Sequence, residues 1–91
     1  MRIKKVFDFY SDPGHGWLKV EKAILRELGI ADKISGFSYM RGNHAFLEED
    51  CDATVFYYAY QRKHGFPPRW KSHVADKSSR IRSYPAYRFF G

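Results

Sequence analysis

The spacing of apolar positions changes several times along the chain, and each change marks an element. Val6, Phe7, Phe9 and Tyr10 lie in a short β-rich run that ends at Ser11-Asp12-Pro13-Gly14-His15-Gly16, a dense cluster of turn formers. Trp17 to Val20 resumes the extended pattern, which predicts two strands joined by a tight loop. From Glu21 the period lengthens: Val20, Ile24 and Leu28 fall on one helical stripe with Leu25 beside it. Gly29 follows the last periodic residue and can take the left-handed conformation that closes a helix, with Ile30 folding back on Leu25. Ile34 to Met40 carries Phe37 and Tyr39 at strand spacing, Arg41-Gly42-Asn43 reads as a turn, and His44 to Leu47 reads as the returning strand.

The run from Ala53 to Gly65 is ambiguous in its middle, because Thr54, Val55, Phe56 and Tyr57 all favour sheets. Its ends predict a helix. Acids at Glu48 to Asp52 suit the positive end of a helix dipole, with Asp50 or Asp52 as the cap. Arg62-Lys63-His64 suits the negative end, and Gly65 follows. Phe66-Pro67-Pro68 stops it, since proline cannot continue the ladder. Arg69 to Ala75 and Ile81 to Arg88 are then candidate strands flanking Asp76-Lys77-Ser78-Ser79, with Pro85 restricting the second to an edge or a bulge. The expected fold is a single α+β domain over residues 1–91, an antiparallel sheet with two helices in the order β-β-α-β-β-α-β-β.

Length supports one domain, because dividing 91 residues would leave pieces too small to bury a core. The aromatic share of 19% helps a small core reach stability, since rings bury more area than aliphatic side chains. Cys51 is the only cysteine, which excludes an intramolecular disulfide and a thiolate zinc knuckle and fits a reducing cytoplasm. The basic start at Met1 to Lys5 lacks the apolar run of a signal peptide, and no stretch has the length of a membrane span. A cytoplasmic protein without membrane partners is expected.

Charge changes the picture most. Residues 61–91 carry eight basic side chains against one acid, Asp76, while the first sixty carry eight against nine. Such an imbalance sets up a local positive field that attracts polyanions or acidic protein surfaces. Within that third, Arg69-Trp70-Lys71, Arg80-Ile81-Arg82-Ser83-Tyr84 and Tyr87-Arg88-Phe89 interleave cations with rings. The binding candidates are Arg69, Trp70, Lys71, Lys77, Arg80, Arg82, Tyr84 and Arg88, read as one solvent-facing surface that contacts anions, with occasional rings for stacking. Strand alternation offers a plainer alternative, with rings inward as core and cations outward as a solvated face.

Elsewhere the chemistry is thin. Asp12, His15, His44 and Cys51 lack zinc-ligand spacing, and the glycines around His15 lack a phosphate-loop pattern. Glu48-Glu49-Asp50-Asp52 could bind a cation, but helix capping accounts for its position and sign. A metal-assisted hydrolase built from His15, His44, Glu49 and Asp50 is the least supported alternative, so no catalytic residue, metal or cofactor is expected.

Four segments carry a resemblance. They are Ser11-Asp12-Pro13-Gly14-His15-Gly16-Trp17-Leu18-Lys19-Val20, Gly36-Phe37-Ser38-Tyr39, Phe46-Leu47-Glu48-Glu49-Asp50-Cys51-Asp52-Ala53 and Ile81-Arg82-Ser83-Tyr84. Together they resemble a family of small proteins encoded by bacteriophages and mobile elements. The resemblance implies a non-enzymatic accessory protein in the host cytoplasm that binds a host protein or nucleoprotein complex, including one of a defence system such as CRISPR. Direct nucleic-acid binding by the same basic face is the alternative. The sequence sets no oligomeric state.

Overall fold

Asp12 builds the first turn. Its carboxylate accepts the backbone amides of Gly14 and His15, each at 3.0 Å, and its own amide donates to the His15 carbonyl at 2.9 Å. The chain therefore reverses between β1 (Val6–Ser11) and β2 (Gly16–Glu21), which pair antiparallel from Asp8↔Lys19 to Ser11↔Gly16. The structure is a computed structural model and describes residues 3–89, so Met1, Arg2, Phe90 and Gly91 of the expected domain lie outside it.

β2 runs into α1 (Lys22–Glu27), which ends as its sequence predicts. Gly29 sits at φ +70°, and the Ile30 amide donates to the Leu25 carbonyl at 3.0 Å. A second hairpin, β3 (Tyr39–Arg41) and β4 (His44–Glu48), leads to α2 (Asp52–His64) and then β5 (Arg69–Val74). Gly65 closes α2 at φ +82° with its amide on the Gln61 carbonyl at 2.8 Å. These elements make an α+β fold around one five-stranded sheet in the order β3-β4-β2-β1-β5.

Four expectations need correction. The sheet is mixed: β5 lies parallel to β1, from Val6↔Arg69 to Ser11↔Val74. The reason is α2, which carries the chain back across the sheet so that β5 starts at the same end as β4. The strand expected over residues 34–40 is confined to β3, because Asp52 gathers the preceding loop. Its carboxylate accepts the Ser35 amide at 3.0 Å, the Ser35 hydroxyl at 2.7 Å and the Ser38 hydroxyl. The expected cap, Asp50 or Asp52, is the third correction: Asp52 is the first residue of α2 and a buried loop anchor, and Cys51 holds the cap position without a side-chain bond.

The strand expected over residues 81–88 is the fourth correction. Arg80–Ser83 is a short 3-10 turn, and among the described residues the segment pairs with the sheet at one bridge, Tyr39↔Ala86. Here Asp12 overrides the alternating pattern by accepting the Ser79 amide at 2.9 Å and the Arg82 side chain at 2.6 and 2.8 Å. Beyond the turn, the Met40 amide donates to the Pro85 carbonyl at 2.9 Å and the Tyr87 amide to the Ser38 carbonyl at 2.7 Å. Residues 79–87 therefore form a strap that crosses one face of the sheet and seals the β3 edge.

The two faces hold separate cores. On the helix side, Phe7, Leu18, Val20 and Leu47 pack against Leu25, Phe56 and Tyr60, with the Phe7 and Phe56 rings edge-on at 5.1 Å. Each such fully buried side chain stabilises by about 1.5–3 kcal/mol relative to exposure. On the strap side, Ile81 covers Trp17 and Phe46.

Candidate binding surface

Strand register decides which side chains share a face. Residues opposite one another across a ladder point the same way, so Tyr39, Phe46, Lys19, Asp8 and Lys71 form a row across the strap side of the sheet. A second row holds Glu48, Trp17, Tyr10 and His73, and a third brings Arg41, His44 and Glu21 to the end where Arg69 lies. The strap covers the β3-β4-β2 half. Tyr84 packs on Phe46 at 5.2 Å between ring centroids, and the Arg82 guanidinium lies 5.5 Å over the Trp17 ring. The β1-β5 half is open.

On this face the acids are partnered and several cations are not. Asp8 meets the His73 ring at 2.9 Å, and that bond, with the charges of His73, Lys19 and Lys4, holds its carboxyl below the usual range against a smaller opposing effect of burial. Glu21 pairs with Lys4 at 2.7 Å and lies 4.0 Å from His44, whose pKa is lowered by burial and by Lys19. Tyr10 stacks on His73 at 4.8 Å, and burial raises its hydroxyl pKa. Lys19, Arg69, Lys71 and Arg80 enter no side-chain ion pair among the described residues. A groove of about 440 Å³ runs along the strap rim between Tyr10, Lys19, Arg80 and Tyr84.

The eight sequence-nominated residues do not form one surface. Arg69 and Lys71 lie on the open face and Arg80 on the rim. Trp70 points to the opposite, helix side, where its ring is 6.4 Å from Tyr57. Lys77 and Arg88 are exposed, one just before and one just after the strap in sequence. Arg82 is committed to Asp12 in a two-pronged bond, which raises its own pKa and holds the Asp12 carboxyl far below the usual carboxylate range. Tyr84 is half-buried under Arg41, whose guanidinium lies 5.1 Å above its ring. Lys19 and Tyr10 went unnominated. Their signal was present, since Lys19 alternates with the apolar Leu18 and Val20, which places it on the face away from the helices.

The candidate metal and hydrolase residues are dispersed. His15 lies 3.9 Å from Glu48, whose pKa burial raises, and both line a groove with Asp50 and Cys51. His44 is at the far end of β4, and Glu49 lines a different groove on the helix side. Among the described residues no three His, Cys, Asp or Glu side chains are grouped to hold a metal ion, and no helix is long and apolar enough to cross a membrane. Comparison with protein families, characterised proteins and solved structures yields no match. The functional reading therefore rests on geometry and charge.

Proposed function

We propose that this chain is a small non-enzymatic accessory protein of the phage type that binds an acidic host protein or nucleoprotein through the open β1-β5 half of its sheet together with the adjoining strap rim at Lys19 and Arg80. The supporting observation is the charge arrangement on that face, where Asp8 and Glu21 are already engaged while Lys19, Arg69, Lys71 and Arg80 are not. Unneutralised cations on a sheet face attract an acidic partner over distance and orient it on approach. Such attraction weakens as salt shortens its range. A defence complex such as the CRISPR machinery is the host context this reading proposes.

Retention on immobilised polyglutamate and on heparin tests it. The native chain should elute at higher salt than a Lys19→Glu, Arg69→Glu, Lys71→Glu triple variant. Equal elution would remove the open face from the reading.

Direct nucleic-acid binding is a second reading, favoured by the strap-rim groove that sets Tyr10 and Tyr84 beside Lys19 and Arg80. Rings and cations along one groove suit a single strand, with bases stacked and phosphates neutralised. Fluorescence anisotropy of a labelled mixed-sequence oligonucleotide should then rise at low salt and fall steeply with added salt. A flat titration at low salt rejects this second reading.

A further inference from the structure

The geometry points to the outer edge of β5 as a strand-addition site for an extended peptide of a protein partner, one that alternates apolar with acidic residues. This rests on the proposed acidic protein partner and specifies how part of it would dock.

β5 is the terminal strand of the sheet, with β1 on its inner side. The Arg69 amide donates inward to the Lys5 carbonyl and the Ala75 amide inward to the Ser11 carbonyl, each at 2.8 Å. Strand alternation then directs the amides and carbonyls of Trp70, Ser72 and Val74 outward, where an added strand would bond them. Among the described residues no strap covers this edge: five of the six residues of β5 are exposed and His73 is half-buried.

The two faces flanking the edge differ in chemistry. On the helix side Trp70 is 49% and Val74 83% exposed, and Trp70 lines a groove of about 400 Å³ with Tyr57 and Tyr58. Glu49 lines the same groove, which favours apolar over acidic residues there. On the other side stand Arg69 and Lys71. An added strand sends alternate side chains to these two faces, so one set meets rings and the other meets cations. Acidic residues in the second set satisfy Arg69 and Lys71. A second copy of β5 in that place would bring like charges together, and a lysine in mid-edge is a common guard against such self-pairing.

The test uses the full chain, isotope-labelled, with amide hydrogen exchange read residue by residue. The probes are a blocked eight-residue peptide alternating valine with glutamate and its valine–lysine counterpart. The glutamate peptide should slow exchange at Trp70, Ser72 and Val74 by about tenfold or more at saturation, as newly bonded amides do. The lysine peptide should not, and Lys71→Glu should reverse that preference. Ser72→Pro removes an outward amide and should abolish the effect. If that variant is misfolded, a glutamate peptide N-methylated at alternate amides makes the same test from the other strand.

Several outcomes would overturn the inference. Protection confined to Tyr10, Lys19 and their neighbours would leave the open-face reading standing and remove strand addition. Protection of the three edge amides that rises with protein concentration alone would assign the edge to a second copy. Equal protection by both peptides would remove the acidic specificity. No response to the glutamate peptide anywhere, together with equal polyglutamate and heparin elution of the native and triple-variant chains, would remove both this inference and the function on which it rests.

Discussion

The two edges of the sheet are treated in opposite ways. At β3 the Pro85 carbonyl accepts the Met40 amide and the Tyr87 amide donates to the Ser38 carbonyl, and the Tyr87 ring enters the main core with its hydroxyl on the Ala31 carbonyl at 2.5 Å. At β5 the outward groups of Trp70, Ser72 and Val74 face solvent beside exposed rings and cations. Unpaired edges invite association, and proteins usually blunt them. Here one edge is closed by the strap of residues 79–87, while the other is protected only by charge, as the proposed docking of an acidic partner strand requires.

The largest effect should come from breaking the sealed edge. Tyr87→Ala removes a buried ring and its hydrogen bond and should cost about 3–5 kcal/mol, measured by urea unfolding. A midpoint close to the native one would mean that the strap is not integral to the fold. Proline placed at each edge sharpens the contrast. Met40→Pro loses the amide that bonds Pro85 and a half-buried side chain, with an expected loss of roughly 2 kcal/mol. Ser72→Pro removes only an outward amide and should stay within about 1 kcal/mol of native. Similar losses at both positions would show that the edges are not so different.

A smaller change is expected from Asp12→Asn, which keeps the side-chain shape and one acceptor oxygen for the turn. The Asp12 carboxyl is depressed in the folded state chiefly by Arg82, then by the Ser79 amide, with burial opposing. Its stabilisation is therefore fully present above the unfolded carboxylate value near pH 4 and is lost as the pH falls below it. Thermal melts should show the native chain more stable than the variant at pH 7, with the gap narrowing on acidification below about pH 4. A constant gap would argue against the ion pair. The smallest effect belongs to Trp70→Ala, which should alter stability by about 0.5 kcal/mol or less because half the ring is already exposed. A large destabilisation there would show that the ring serves the core.

Local signals in the sequence located most elements, and distant contacts decided where it misled. The C-terminal end of α2 was legible because Arg62-Lys63-His64 and Gly65 act within one turn of it, whereas the N-terminal cap expected of Asp50 or Asp52 fell to Cys51. The first hairpin was legible because Asp12 caps its own loop. Arg80-Ile81-Arg82 has the alternation of a strand, yet it forms a turn because Asp12, seventy positions earlier, captures Arg82. The parallel placement of β5 depends on where α2 returns the chain, which no local pattern encodes. For the binding surface, period-two alternation in Arg69-Trp70-Lys71 already implied that ring and cations part company. That reading competed with a view of the basic segment as one patch, and the register of β5 against β1 settles the matter.

The clasp between Asp12 and Arg82 also bears on synthesis. Its halves leave the ribosome far apart in time, so a nascent chain has its first hairpin exposed well before residues 79–87 can close over Trp17 and Phe46. During that interval the β3 margin lacks its cover and, unlike β5, has no row of cations to guard it, so a chaperone acting early would meet a border that the finished molecule hides.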